Sequence, residues 1–210
     1  MNFSYRCGWL FFRFVFATYF RSRFIGAEHV PKKGPVILAA NHASYLDPPV
    51  VGSGLDRDIN YLARQSLFRF PLIGRLLVSW NSVPVDRDGG GARGLKNILD
   101  RLLGGAGIIL FPEGTRSYDG KLRPAQAGIG LVVAKSDAPV IPVRVLGSHE
   151  AWGRSQKIPL PRRITVHYGE PMRFEKLRAE AKNCSKDRLK GIYQQIADEI
   201  MAAIAALGQS

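Results

Sequence analysis

Six short apolar runs alternate with stretches of helical character along this chain, and this alternation restricts the fold more than any other feature. The apolar runs cover residues 35–40, 59–63, 83–85, 108–111, 140–145 and 163–168. The helical candidates between them cover residues 47–54, 71–79, 91–103 and 128–135. Because strands that alternate with helices form layered structures, the pattern predicts an α/β fold with a mostly parallel central sheet flanked by helices.

A further helix is predicted at the carboxyl end. Apolar side chains recur there at spacings of three or four, at Leu189, Ile192, Ile196, Ile200, Ile204 and Leu207. This spacing is typical of a helix with one apolar face, and Ser185 is positioned to cap its first turn. Residues 25–210 are therefore interpreted as one domain ending in an amphipathic helix. This helix is expected to pack on the domain, and the alternative is that it lies on a membrane.

The first 24 residues differ from the rest in composition. They contain ten of the 21 aromatic residues and four arginines, but no acidic residue. On a helix, Arg6, Arg13 and Arg21 fall within roughly an 80° arc opposite an apolar face. Arg13 keeps the uncharged run far shorter than the ~20 residues that span a bilayer. The composition predicts a membrane-interfacial helical segment over residues 1–24. An ordinary helix packed on the domain remains the alternative.

The charge balance favours anionic partners. The 210 residues include 30 Lys and Arg against 17 Asp and Glu, a net charge of +13. Such an excess fits nucleic acid, an anionic bilayer or a phosphorylated substrate. The only two cysteines, Cys7 and Cys184, have neither metal-ligand nor redox spacing, and no histidine pairs with acids at metal-ligand spacing. We therefore expect two free thiols and no metal site.

A histidine and a carboxylate lie five residues apart just after the apolar run 36–40. They are His42 and Asp47, in the segment 41–47. An imidazole exchanges a proton near neutral pH, and a nearby carboxylate fixes its tautomer and stabilises the imidazolium. The pattern predicts a general base with an orienting partner, although a structural role for His42 is the alternative. Ser44 lacks a Gly-x-Ser-x-Gly context and is interpreted as a helix-entry or hydrogen-bonding residue.

A second unusual segment, residues 111–117, follows the apolar run 107–110. It contains Glu113, Gly114, Thr115 and Arg116. A guanidinium matches phosphate oxygens in a planar arrangement, a glycine lets backbone N–H groups approach an anion, and a threonine hydroxyl adds a donor. Glu113 is expected to hold an arginine or to contact an acceptor hydroxyl. A base on one loop and an anion-binding loop on another indicate transfer chemistry on a phosphorylated alcohol.

These two segments, with residues 83–87 and 140–143, resemble the four sequence blocks of the glycerolipid acyltransferases, which acylate lysophosphatidic acid and related acceptors. The resemblance covers roughly residues 25–170 and departs at residues 64–67, where relatives often carry a lysine and an acid. It implies that His42 is the base with Asp47. It also implies that substrate is bound by a further set of residues: Asn41, Arg87, Glu113, Gly114, Thr115, Arg116 and Pro142.

The resemblance further implies the co-substrate and the place of action. An acyl-CoA or acyl carrier protein thioester is the donor, and no cofactor is needed, because a thioester is already activated. The acceptor is a lysophospholipid, with no nucleic acid partner, and the enzyme is membrane-associated at the cytoplasmic face of the bacterial inner membrane. For Arg87, an ion pair with Asp86 or Asp88 is an equal alternative, and Val140 and Val143 are expected in the core.

Alternatives from other functional classes remain open at this stage. One is another lysolipid as acceptor, and a second is a lipid hydrolase that uses the same histidine and aspartate. A third is a non-enzymatic module that binds an anionic membrane or nucleic acid through its positive charge. Residues 62–77 also have two interpretations, an acyl-chain groove open to the membrane or a simple amphipathic helix that covers the sheet.

Overall fold

A single seven-stranded sheet forms the centre of the molecule. In this computed structural model, which describes residues 2–85 and 92–208, the strand order is β1-β7-β6-β2-β5-β3-β4. All neighbouring strands are parallel except the antiparallel pair β6 and β7. The strands are β1 (Arg23–Ile25), β2 (Val36–Ala40), β3 (Ile59–Arg64), β4 (Ser82–Val85), β5 (Gly107–Leu110), β6 (Val140–Leu146) and β7 (Thr165–Tyr168). The predicted α/β fold with a mostly parallel sheet is confirmed.

Helices cover both faces of this sheet. Two short 3₁₀ segments, Ala27–His29 and Gln65–Arg69, accompany them. The α-helices are α1 (Phe3–Thr18), α2 (Asp47–Ser53), α3 (Pro71–Ser79), α4 (Ala92–Leu103), α5 (Ala127–Ala134), α6 (Ser148–Trp152), α7 (Glu175–Ala181) and α8 (Lys186–Ala206). The predicted strands and helices are all present, with ends displaced by one or two residues, except that the helical segment predicted over residues 1–24 ends at Thr18 and residues 23–25 form β1. The sequence pattern missed β1, α6 and α7, because segments of three to seven residues are too short to establish a period.

The central strand β2 separates two apolar cores. Leu38 and Ala40 face a core formed with α1 and α2, whereas Ile37 and Ala39 face a second core formed with α5 and α8. The predicted apolar stripe of α8 lies in the second core, where Ile192, Ile196, Ile200 and Ile204 are fully buried. Ser185 caps this helix by accepting the Arg188 N–H at 3.3 Å. The expectation that α8 packs on the domain is therefore confirmed.

The amino-terminal helix α1 packs on the domain with one side and exposes apolar side chains on another. Phe16 is fully buried in the core, while Phe11 and Phe14 are more than half exposed. Arg13 forms an ion pair with Asp56 at 2.9 Å. The helix ends at Thr18, and Arg21 lies beyond it in a left-handed turn, so the expectation of three arginines on one helical face is wrong for Arg21. Among the described residues, no helix has the length and hydropathy that a membrane span requires.

The topology brings the two unusual loops to the same edge of the sheet. Strands β2 and β5 are parallel neighbours, with Ala39 paired with Leu110 near their carboxyl ends. The loops that follow them, residues 41–47 and 111–117, therefore leave the sheet side by side. Ligands of open α/β sheets bind at this edge, outside the carboxyl ends of the strands.

Candidate active site

His42 and Asp47 form a hydrogen-bonded pair at the end of β2. The distance from His42 Nδ1 to Asp47 Oδ2 is 2.9 Å. Asp47 is the first residue of α2 and is fully buried, and the two prolines that follow it favour the start of a helix there. The chain between the pair makes one tight turn, which explains the five-residue spacing.

Two backbone N–H groups fix the carboxylate of Asp47 in addition to the imidazole. Ala43 N–H and Ser44 N–H each donate to Asp47 Oδ2 at 2.7 Å. Three donors therefore meet on one oxygen, which explains why the carboxylate can be buried without a cation beside it. Because Nδ1 of His42 holds its proton towards Asp47, the lone pair of the neutral ring lies on Nε2, where it can accept a proton.

Ser44 has a structural role in this turn. Its hydroxyl donates to the Trp152 carbonyl at 2.7 Å and accepts the Leu46 N–H at 3.0 Å. The residue is fully buried. The interpretation of Ser44 as a hydrogen-bonding residue at the entry to a helix is confirmed, because its hydroxyl both donates and accepts a hydrogen bond within the protein.

The loop after β5 holds His42 from the other side. Glu113 Oε1 accepts the His42 N–H at 2.8 Å, and Ser117 N–H donates to the His42 carbonyl at 2.7 Å. The ring of Phe111 stacks on the imidazole with 4.0 Å between centroids and 17° between planes. Both backbone groups and one face of His42 are thus fixed by residues 111–117, so the two loops form a single site.

Glu113 is a buried carboxylate that binds main-chain N–H groups. Its second oxygen, Oε2, accepts the Arg123 N–H at 3.2 Å, and the residue is only 3% exposed. Burial raises the pKa of Glu113, and the N–H donors from His42 and Arg123 offset part of this rise. The charge of Glu113 also acts on the half-buried Arg144, where it opposes the lowering of the arginine pKa by burial. Glu113 therefore joins the two loops.

The guanidinium of Arg116 lies against the loop that joins His42 to Asp47. It lies over the ring of Tyr45, with Cζ 3.5 Å from the ring centroid. Arg116 Nη1 is buried and has no hydrogen-bond partner among the residues that the structure describes. A buried N–H group without a hydrogen-bond acceptor lowers the stability of the folded protein, unless a ligand supplies the acceptor. Gly114 nearby has φ +70°, a left-handed conformation that other residues rarely adopt.

His42 lines a largely apolar cleft of about 770 Å³. Helices α4 and α5 and the carboxyl ends of β3, β4 and β5 supply most of its walls. A second apolar cavity, of about 330 Å³, lies between α1, α2, α3 and β3. Pro48, Leu62 and Ala63 border both spaces, so the second cavity adjoins the cleft that contains the histidine.

Comparison with known protein families agrees with this arrangement. The family model described as Acyltransferase matches residues 21–146, more than half of the chain, and this range includes both loops of the site. The chain belongs to the acyltransferase family.

Several curated relatives of this acyltransferase carry the name 1-acyl-sn-glycerol-3-phosphate acyltransferase. The Limnanthes douglasii protein is 31% identical over 153 residues, which are 70% of this chain and 53% of that protein. The Cocos nucifera protein is 26% identical over 176 residues, 82% of this chain and 57% of that protein. The Bacillus subtilis protein is 29% identical over 121 residues, 57% of this chain and 60% of that protein. The chain spans about half the length of the curated relatives it matches.

A solved structure shares the fold of this acyltransferase. It is the crystal structure of the 1-acyl-sn-glycerophosphate acyltransferase PlsC from Thermotoga maritima, with a TM-score of 0.74 and 24% sequence identity. The superposition covers 98% of this chain and 80% of that chain. The similarity therefore extends over both faces of the sheet and includes α1 and α8.

Of the predicted substrate-binding residues, only Gly114 borders the cleft as far as the structure describes them. Asn41 is buried, and its side-chain amide binds the Val145 backbone in both directions, with Nδ2 donating at 3.0 Å and Oδ1 accepting at 2.7 Å. Pro142 lies inside β6, with its ring against Gly169. These contacts give the acyltransferase a rigid sheet and provide no support for substrate binding by either residue. Arg87 lies outside the described residues.

The structure also assigns roles that the sequence reasoning did not reach. Phe111 stacks on the imidazole, and Tyr45 lies under the guanidinium of Arg116. Tyr45 belongs to the segment 41–47 and Phe111 to the segment 111–117. Their closeness in sequence to the predicted site residues is the only feature of the sequence that could have indicated these contacts. Val140 and Val143 are fully buried core residues, as the sequence predicted.

Proposed function

We propose that this acyltransferase moves a fatty acyl group from an acyl thioester to the free hydroxyl of lysophosphatidic acid, 1-acylglycerol-3-phosphate, to give phosphatidic acid. The observation that carries the proposal is the His42–Asp47 pair, joined at 2.9 Å, with His42 on the wall of an apolar cleft. Arg116 lies on the ring of Tyr45, a residue of the loop that joins the pair, and its buried Nη1 has no partner among the described residues. The names of the curated relatives favour this acceptor.

The first step of the proposed reaction uses His42 as a general base. Nε2 takes the proton of the acceptor hydroxyl as the oxygen attacks the thioester carbonyl. The tetrahedral intermediate then collapses, the carbon–sulfur bond breaks, and the thiolate leaves and takes up the proton from the imidazolium. General-base assistance of this kind contributes about 10²–10⁴-fold, or about 3–5 kcal/mol. Asp47 stabilises the imidazolium that forms between the two proton transfers.

The phosphate of the acceptor is proposed to bind at the loop after β5. Arg116 supplies a planar donor whose Nη1 has no other partner, and Tyr45 holds the guanidinium in place. Gly114 and Thr115 add a close backbone approach and a hydroxyl to the same proposed contact. Arg87, from the block of residues 83–87, stays a prediction for the same phosphate. Glu113 positions His42 through its backbone N–H rather than by contact with the phosphate.

The apolar spaces around the dyad suit two acyl chains. The donor and the acceptor of this reaction each carry a hydrocarbon chain, and the cleft and its neighbouring cavity together present mainly apolar walls. Burial of such chains is favourable by about 0.8 kcal/mol per CH₂ group. The donor is proposed to be an acyl-CoA or an acyl carrier protein thioester, a co-substrate that makes a separate cofactor unnecessary.

The proposal places the enzyme on a membrane surface, because its acceptor is a lipid. The net charge of +13 and the exposed aromatic side chains of α1 favour an anionic bilayer over a nucleic acid partner. We propose that it acts on the cytoplasmic face of the bacterial inner membrane.

The direct test measures the products of the purified protein. Labelled acyl-CoA and acyl carrier protein thioester are incubated with a panel of lysolipids, and products are identified by mass spectrometry. Phosphatidic acid is the expected product with lysophosphatidic acid. Release of free fatty acid only would identify a hydrolase, and a product from another lysolipid alone would change the acceptor.

Three variants connect this activity to the site. His42→Ala is expected to abolish turnover while the fold is retained, and Asp47→Ala to do the same. Arg116→Ala is expected mainly to raise the KM for the phosphorylated acceptor. Full activity of the His42 variant would contradict the role of the imidazole, and an unchanged KM in the Arg116 variant would contradict the phosphate assignment.

A further inference from the structure

Exposed apolar side chains concentrate on α3 and the 3₁₀ segment before it. Leu72 is 82% exposed, and Gly74 is the only buried residue of α3. A helix that only covers the sheet would bury an apolar face, so this structure contradicts the second interpretation of residues 62–77. The exposed set, called the α3 face below, consists of Leu67, Phe70, Leu72, Ile73, Leu76 and Val78.

The charges on this part of the surface are all positive. Residues 59–85 contain Arg64, Arg69 and Arg75 and no aspartate or glutamate. All three arginines are exposed, and none forms an ion pair with an acidic side chain of the described residues. An apolar surface on a segment whose own charges are all positive fits the boundary of an anionic bilayer, where the apolar side chains enter the acyl region and the arginines meet the headgroups.

The α3 face adjoins the exposed side of α1. Asn2 Nδ2 donates to the Ser79 carbonyl at 3.0 Å, and Trp80 Nε1 donates to the Ser4 carbonyl at 3.2 Å. The ring of Trp80 also packs edge-on against Phe12, with 5.8 Å between centroids. These contacts join the amino end of α1 to the carboxyl end of α3. Two segments without acidic residues, 1–24 and 59–85, therefore lie next to each other on one continuous surface.

The cavity of about 330 Å³ lies between these same two helices. Trp9 and Phe12 of α1 form part of its wall, and Leu67 and Leu77 form another part. Pro48 and Leu62 border both this cavity and the cleft of His42, so the apolar space between α1 and α3 and the cleft are neighbours.

We propose that the α3 face inserts into the headgroup boundary of an anionic bilayer, beside α1, and that lipid reaches His42 from this side through the space between α1 and α3. The bilayer-binding part of the proposal stands on the α3 face itself. The delivery of lipid to His42 rests on the proposed function.

Vesicle binding of a matched pair of variants tests the insertion. Leu72→Gln removes one apolar side chain from the α3 face, and Leu103→Gln removes an equally exposed leucine, also 82%, at the end of α4. With phosphatidylglycerol vesicles, the partition coefficient is expected to fall about tenfold for the Leu72 variant and to stay at the wild-type value for the Leu103 variant. Equal binding by both variants would overturn the proposal.

A second pair of variants tests the arginines. The double variant Arg69→Gln and Arg75→Gln is expected to bind phosphatidylglycerol vesicles about fivefold more weakly for each arginine removed, and to lose much of the salt dependence. The control changes two exposed arginines elsewhere, Arg162 and Arg163, to Gln. If the two double variants bind equally weakly, the effect comes from net charge alone and the assignment to the α3 face fails.

Two further measurements separate this proposal from its competitors. Sedimentation velocity without vesicles shows whether Leu72→Gln dissociates a dimer. If the variant dissociates a dimer while its vesicle binding is unchanged, the α3 face binds a second copy and the proposal is wrong.

Turnover of short-chain, monomeric substrates without vesicles is expected to be equal in the wild type and the Leu72 variant. If the wild type shows no acyl transfer but vesicle binding depends on Leu72, the bilayer surface stands and the proposed function fails.

Discussion

The substitution Asp47→Asn tests the catalytic pair with the smallest change in shape. Three N–H groups, from His42 Nδ1, Ala43 and Ser44, converge on Asp47 Oδ2 at 2.9, 2.7 and 2.7 Å. The oxygen of the asparagine amide must take this position, since its nitrogen would face three donors. The imidazole then keeps its tautomer, and the substitution removes only the negative charge.

The expected loss of rate follows from the charge separation in the pair. With about 4 Å between the charge centres and an effective dielectric constant of about 20, the carboxylate stabilises the imidazolium by about 4 kcal/mol. This energy corresponds to about a 10³-fold decrease in kcat.

The same substitution also lowers stability. Three charge-assisted hydrogen bonds become neutral at a cost of about 1 kcal/mol each. The amide nitrogen occupies the site of Oδ1, which is buried and has no hydrogen-bond partner in the part of the chain that the structure describes. The asparagine no longer buries a negative charge, and this gain offsets part of the cost of the weaker hydrogen bonds and of the unpaired amide nitrogen. The free energy of unfolding is therefore expected to fall by about 2–4 kcal/mol and Tm by about 5–10 °C.

The assay follows thiol release from acyl-CoA at a saturating concentration of lysophosphatidic acid, with circular dichroism as the measure of folding. Asp119→Asn is the matched control, because Asp119 is an exposed aspartate that accepts hydrogen bonds from Ser117 Oγ and Lys121 N–H on the neighbouring loop. The control is expected to keep wild-type kcat. A kcat within about threefold of wild type for a folded Asp47 variant would refute the electrostatic role of the carboxylate.

Three other substitutions have distinct expected results. Ser44→Ala should keep kcat within about threefold while the free energy of unfolding falls by about 1–2 kcal/mol, as measured by urea titration, because its hydroxyl only forms hydrogen bonds; loss of turnover would indicate an acyl-serine intermediate. Arg116→Lys should raise the KM for the acceptor about tenfold, since lysine lacks the planar donor set that stacks on Tyr45; an unchanged KM contradicts this. Burial raises the pKa of Glu113 in the folded protein above its ordinary value in the unfolded chain. Between these two pKa values the folded protein binds more protons, so its free energy of unfolding falls as pH rises through that range. Glu113→Gln should lessen that fall in a series of Tm values against pH, and an identical pH profile would show that burial does not shift this carboxyl.

Local patterns in the sequence were sufficient to predict the layered fold and the contact between His42 and Asp47. The apolar runs predicted six of the seven strands, and the apolar residues from Ile192 to Ile204 predicted the long helix α8. Both signals exist because the buried positions of a strand or helix recur at a regular spacing and are occupied by apolar residues. His42 and Asp47 lie within one turn of the chain, so their contact also follows from local spacing.

The assignments that failed or gained no support concern residues whose contacts are made by distant parts of the chain. Asn41 was expected at the substrate, yet its amide binds Val145, a residue 104 positions away on β6. Arg21 was grouped with a helical face, although the helix ends at Thr18 so that the chain can turn into β1. The residues next to Asn41 and Arg21 in the sequence give no indication of the distant contact in the first case or of the end of the helix in the second.

The sequence by itself determined most of the strands and helices along the chain and the contact of His42 with Asp47, since both depend on residues a few positions apart. Only the tertiary structure decided that residues 111–117 hold the backbone of His42, and that Phe111 covers its ring. It also decided that α3 leaves its apolar side chains exposed beside α1. These features depend on which strands become neighbours in the sheet and on which faces remain uncovered, and packing across the whole molecule determines both.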